Sequence, residues 1–123
     1  MQRFLMLPLV TALACALAAS AAFAHAFLDK AVPGVGATVN SSPNELQLTF
    51  TQNVVIAFSG VQIASAGGEA IPAGKPTLDP SSPNVLHVRL GRTLKPGTYI
   101  VTWHVVSVDT HPTQGTYKFT VAQ

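Results

Sequence analysis

The stretch Trp103–Phe119 reads W-H-V-V-S-V-D-T-H-P-T-Q-G-T-Y-K-F. It begins as an apolar strand, breaks at a short polar corner, and returns as a second strand. Over Gly97–Ser107, Tyr99, Val101, Trp103 and Val105 share one face; over Gly115–Val121, Tyr117, Phe119 and Val121 do the same. A period of two marks a strand with one buried face. The corner carries Asp109 and His111, two residue types that bind metals, and Pro112 follows directly. The residue before a proline is held to extended backbone. In an extended segment residues i and i+2 point the same way, so Asp109 and His111 are expected to aim at one point. Two ligands do not complete a site.

The rest of the chain continues the strand pattern. Ala26–Val32 reads as a strand closed by Pro33-Gly34-Val35-Gly36, and Ser41-Ser42-Pro43-Asn44 is a turn cluster. Glu45–Gln52 alternates, with Leu46, Leu48 and Phe50 on one face. Val54–Phe58 is a shorter apolar run, and Gly60–Ser65 a further strand ended by Ala66-Gly67-Gly68. Positions 71–83, rich in Pro, Gly, Asp and Ser, read as a long surface connection. Val85–Leu90 alternates again, with Leu86, Val88 and Leu90 inward and Val85, His87 and Arg89 outward; Leu94-Lys95-Pro96-Gly97 is a turn. About seven short strands between Pro/Gly turns, with no helical period and no internal repeat, predict an all-β sandwich or Greek-key barrel.

The first 24 residues have the form of a secretory signal: Arg3, an apolar run over 4–18, and an A-x-A cleavage site at Ala22-Phe23-Ala24. The expected organisation is a cleavable signal peptide at 1–24 and one exported domain at 25–123. Cleavage removes Cys15, Met1 and Met6, leaving 99 residues with no cysteine and no methionine. Their six Lys and Arg stand against five Asp and Glu, a net charge of +1 with His neutral. The basic residues are scattered, so no nucleic-acid footprint is present.

A chain beginning at His25 carries an α-amino group beside an imidazole, and these two nitrogens can chelate one metal in a six-membered ring. His25, Asp109 and His111 together offer three nitrogens and one oxygen with no sulfur. Tetragonal N,O sites suit Cu(II), and copper outranks zinc in the Irving–Williams order. Soft Cu(I) is held by thioether or thiolate, which residues 25–123 lack. Each residue also has a plainer reading. His25 is whichever residue the peptidase leaves first, Asp109 is a cap on the corner, and His111 is an ordinary exposed histidine. His87, on the polar side of its strand, is expected to face solvent with no chemistry. His104, opposite Val101, Trp103 and Val105, reads as a surface residue or one that orients a ligand.

Ala22-Phe23-Ala24, His25-Ala26-Phe27-Leu28, Trp103 through Ser107, Asp109, His111-Pro112, Gly115 and Phe119-Thr120-Val121 together resemble the CopC family of periplasmic copper-binding proteins. The resemblance spans the whole of 25–123 and implies a cupredoxin-like or immunoglobulin-like β-sandwich. It implies Cu(II) ligands at His25, Asp109 and His111, a role in copper carriage, buffering or resistance, and a monomer paired with a CopD-like inner-membrane copper importer. Many members carry a Met-rich Cu(I) loop; this chain lacks one and is similar to the Cu(II)-only subgroup. Many begin His-Ala-His, where this chain has Phe27 third.

Two other classes compete. An N-terminal histidine chelating copper with a second histidine is also the brace of lytic polysaccharide monooxygenases. Against that enzyme reading, Asp109 would fill the position an oxidant needs open, and Trp103, Tyr99 and Tyr117 all alternate inward, leaving no flat aromatic surface. A scaffold sandwich with no metal predicts that copper leaves stability unchanged.

Overall fold

A computed structural model describes residues 25–123; the signal-peptide reading of 1–24 lies outside them. Among the described residues nine strands form two sheets. Strands β1 (Leu28–Val32), β3 (Glu45–Phe50), β7 (Ser82–Arg89) and β6 (Thr77–Asp79) make one antiparallel sheet in that order. The other runs β2 (Thr38–Val39), β9 (Pro112–Val121), β8 (Gly97–Val106), β4 (Gly60–Ser65) and β5 (Ala70–Ile71), antiparallel except for the β2–β9 pair.

The inward faces follow the alternation. Leu46, Leu48, Phe50, Leu86 and Val88 from the first sheet meet Tyr99, Val101, Trp103, Val105, Tyr117, Phe119 and Val121 from the second in one buried cluster. Each such side chain withdrawn from water contributes about 1.5–3 kcal/mol. Phe50 and Trp103 join the sheets edge to face, their ring centroids 5.1 Å apart. Gly115 lies opposite Trp103 in the β8–β9 ladder, and a Cβ there would come within 2.6 Å of the indole. The core tryptophan therefore packs directly on backbone.

Three local expectations change. Positions 71–83 are not one open connection: Thr77–Asp79 pairs with β7, and Ala70–Ile71 with β4. Pro/Gly/Ser composition hid two short edge strands whose ladders come from tertiary pairing. Val54–Phe58 divides into a lone bridge from Val54 to Ser107 and a 3-10 turn over Ile56–Phe58. Val85, read as outward, is buried.

β8 and β9 form the central hairpin, paired from Gly97↔Val121 to Val106↔Pro112. Ser107–His111 is its tip. The segment His25–Phe27 enters β1 beside it.

Candidate metal centre

Asp109 and His111 meet, with His111 Nδ1 3.2 Å from Asp109 Oδ2. The cause differs from strand alternation. Thr110 has φ 69°, the left-handed region, and its N–H bonds Ser107 O at 2.8 Å. The segment is a tight turn, and the turn folds the two side chains together. The Ser107 N–H closes it by bonding His111 O at 3.1 Å.

Ser107 is buried at 1% exposure. Its Oγ donates to Asp109 Oδ1 and accepts the His111 N–H at 3.3 Å. The Ser107 hydroxyl, followed by the His111 contact, holds the Asp109 carboxyl below its usual range. A carboxylate only accepts, so His111 Nδ1 is the donor in the contact, and in the neutral ring that tautomer puts the free lone pair on Nε2. Each carboxylate oxygen likewise keeps a lone pair after its one hydrogen bond.

Two threonines bring the segment His25–Phe27 to this corner. Thr51, just past β3, accepts the Phe27 N–H on its hydroxyl at 3.0 Å, and its N–H donates to Phe27 O at 2.9 Å; the hydroxyl donates to His25 O at 3.4 Å. Thr113, on β9 two residues past His111, donates to Ala26 O at 2.6 Å. Ala26 is fully buried between these anchors. The His25 imidazole then lies edge-on to His111, ring centroids 4.6 Å apart and planes at 88°. His25 Nδ1 is buried and has no hydrogen-bond partner. A buried polar atom without a partner costs about 1–3 kcal/mol, and such an atom calls for an explanation.

The three residues are therefore brought to one corner as two contacts sharing His111. Among the described residues, no three His, Cys, Asp or Glu side chains are grouped closely enough to enclose an ion as they stand. The donor types nonetheless suit a divalent metal of N,O preference: a partnerless His25 Nδ1 beside the His111 ring, and that ring beside the Asp109 carboxylate. Ser107, Thr51 and Thr113 were missed in the sequence. For Ser107 the signal is a hydroxyl two residues before a carboxylate in a corner; the threonines carry none.

The other two histidines lie elsewhere. His104 is exposed on β8, cross-strand from Gly60 and Gln114, its ring over the Gly60 backbone. His87 is not a plain solvent-facing residue. Its Nε2 sits 2.8 Å from Asp79 Oδ1 and its Nδ1 3.1 Å from Glu45 Oε1, so the expectation of an uninvolved side chain is corrected. The two carboxylates hold opposite nitrogens of one ring, which ties β3, β7 and β6 together and leaves no shared point for an ion. Trp103, Tyr99 and Tyr117 are all buried, so none offers a surface to a polysaccharide.

A two-sheet β-sandwich with a histidine–carboxylate corner at the tip of its central hairpin, joined there by an N-proximal histidine, defines the class. The family model described as CopC domain matches residues 28–122, which include Asp109 and His111. The chain belongs to the CopC domain family. It is 40% identical over 99 residues to Protein YobA of Escherichia coli strain K12, covering 80% of each chain. It is 36% identical over 120 residues to Copper resistance protein C of Xanthomonas campestris pv. juglandis, covering 91% of each. A segment of Copper transport protein CutJ of Bacillus subtilis strain 168 is 26% identical over 101 residues, 82% of this chain and 19% of that one. Among solved structures, CopC from Methylosinus trichosporium OB3b superposes with TM-score 0.74 at 31% identity, over 80% of this chain and 94% of the other. PcoC, a methionine-rich copper resistance protein from Escherichia coli, does so with TM-score 0.72 at 32% identity, over 80% and 99%.

Proposed function

We propose that this protein is a periplasmic Cu(II)-binding protein that carries or buffers copper, and that it is not an enzyme. Residues 1–24 are the signal peptide and 25–123 the functional domain. The observation that carries the reading is the buried, partnerless His25 Nδ1 beside His111. With residues 1–24 removed, the His25 amine and Nδ1 close one chelate ring on the copper cargo. His111 supplies Nε2, and Asp109 supplies an oxygen through a lone pair that its hydrogen bonds leave over. That set is three nitrogens and one oxygen, which suits Cu(II). PcoC is described as methionine-rich; residues 25–123 here contain no methionine and no cysteine, which argues for Cu(II) without Cu(I).

The relatives named for copper resistance support the copper role. The resemblance of a segment of CutJ, a copper transport protein, is in keeping with copper carriage, and the partner proposed to receive the ion is a CopD-like inner-membrane copper importer. The protein acts as a monomer and binds no nucleic acid.

The test is a Cu(II) titration of the exported protein, followed by intact mass and by melting. One Cu(II) per chain is expected, with no stoichiometric tight Cu(I) uptake under reducing conditions. Copper should also raise Tm, because it binds the native state preferentially. A Tm unmoved by saturating Cu(II) would favour a metal-free scaffold. Protein-dependent polysaccharide cleavage above free-copper controls would favour the monooxygenase.

A further inference from the structure

We infer that Ser107 is the positioning residue of this centre: its hydroxyl holds the Asp109 carboxylate in the orientation that copper meets. The inference rests on the Cu(II) reading above and adds a residue to it. Asp109 stands on an exposed turn, its side chain 44% accessible. An exposed carboxylate on such a turn ordinarily samples several rotamers and loses that freedom on binding, at a cost in affinity. Here the freedom is already restricted. A serine hydroxyl has one proton to give and two lone pairs to accept with. Ser107 Oγ also approaches His111 O at 3.2 Å, yet the single proton goes to the ionised oxygen, because a charge-assisted hydrogen bond is the stronger. A lone pair takes the His111 N–H. One buried side chain therefore bonds the Asp109 side chain and the His111 backbone together.

Burial is what makes Ser107 rigid enough for this work. Its backbone is fixed on both sides, by the bridge to Val54 and by the turn bonds to Thr110 N and His111 O. Groups that orient metal ligands in this way typically contribute 10- to 100-fold in affinity. Simple turn closure is the competing role, and it makes a different prediction. If Ser107 acts through Asp109, removing its hydroxyl matters only while the carboxylate is present. If it only closes the turn, the loss persists without Asp109.

The experiment is a double-mutant cycle on the exported full domain with Cu(II) itself as probe. Ser107→Ala should bind one Cu(II) about 10- to 100-fold more weakly. Its EPR spectrum should keep the histidine nitrogen couplings and move toward that of Asp109→Ala. In the Asp109→Ala background, adding Ser107→Ala should change affinity within about twofold. An equal loss in both backgrounds, or a wild-type spectrum and affinity for Ser107→Ala, would overturn the inference and leave copper binding by His25 and His111 intact. No Cu(II) binding by the wild type would instead overturn the functional reading. Wild-type protein alone supplies an independent arm should Ser107→Ala not fold: Asp109 Hα–Hβ couplings in the metal-free state should report a single rotamer, and averaged couplings would overturn the inference.

Discussion

The imidazoles of His25 and His111 meet edge to face, ring centroids 4.6 Å apart, although they come from opposite ends of the domain. Neither strand ladder makes this contact by itself. It arises because Thr51, just past β3, holds the backbone of His25 and Phe27, while Thr113, on β9, holds the Ala26 carbonyl between them. The N-proximal segment is thus tied across the open end of the sandwich, and the site exists only where both sheets are correctly packed.

That geometry separates the four histidines. Alanine at His25 or His111 should weaken Cu(II) binding by more than the about 10- to 100-fold typical of losing a group that merely orients a ligand. His87→Ala should leave the metal spectrum unchanged, since that ring is held by Glu45 and Asp79 on the other sheet. His104→Ala should do little, because that ring lies over Gly60. Cu(II) EPR, counting nitrogen couplings in each variant, is the measurement. A wild-type spectrum from His111→Ala, or a lost site in His104→Ala, would refute the assignment.

Two glycines predict unequal costs for the same substitution. A Cβ at Gly115 would meet the buried Trp103 indole at 2.6 Å, and the indole is locked between Phe50 and the hairpin backbone. Gly115→Ala should therefore destabilise by about 1–3 kcal/mol, the usual range for overpacking. A Cβ at Gly60 would meet His104 Cε1 at 2.3 Å. That ring is exposed and can swing away, so Gly60→Ala should cost clearly less despite the shorter approach. Urea unfolding of both variants gives the comparison, and equal losses would contradict it.

The fold was legible because alternation survives wherever one strand face is buried. Leu46, Leu48 and Phe50, and the run Tyr99, Val101, Trp103 and Val105, all point inward as read. Thr77–Asp79 and Ala70–Ile71 were not legible, because edge strands this short take their ladder from neighbours rather than from their own pattern. At the corner, the approach of Asp109 to His111 was legible from their spacing, and His25 entered only as a candidate drawn from ligand chemistry. The αL turn at Thr110 was not, since only glycine, asparagine or aspartate advertises that conformation. Ser107 looked like the end of a strand, and its burial depends on the Val54 bridge, a contact from elsewhere in the chain.

His87 makes stability depend on pH. Its pKa is raised, chiefly by the hydrogen bond to Asp79 and then, against burial, by Glu45; that of Asp79 is lowered, chiefly by His87. Arg89, cross-strand from Glu45, is the other charge on that stretch of β7. A raised histidine pKa contributes stability in full below its ordinary value of about 6.5, and the contribution is lost as pH rises through the raised value. The lowered Asp79 contributes above its ordinary value of about 3.9 and loses this as pH falls through the lowered value. The network is therefore strongest between these limits. In metal-free protein, His87→Gln should lower Tm by a few degrees more at pH 5.5 than at pH 9. The same Tm difference at both pH values would exclude the network as its source.

The last prediction concerns the amine. The His25 Nδ1 is buried and partnerless, and its natural chelate partner is the nitrogen on its own Cα, which closes a six-membered ring with a metal. That nitrogen is a free amine only if cleavage falls between Ala24 and His25; with Ala24 retained it is an amide whose lone pair is delocalised. Exported protein should therefore show His25 first on N-terminal sequencing. A version whose His25 amine is acetylated should bind Cu(II) far more weakly and show a changed pattern of nitrogen coupling in EPR. The fold should not notice, because the Thr51 and Thr113 anchors act on backbone groups of His25, Ala26 and Phe27 that both versions share. Equal metal-free Tm values with unequal copper affinities would place the effect on the amine itself. Equal affinities would remove the amine from the ligand set and leave His25 Nδ1 without the partner proposed for it.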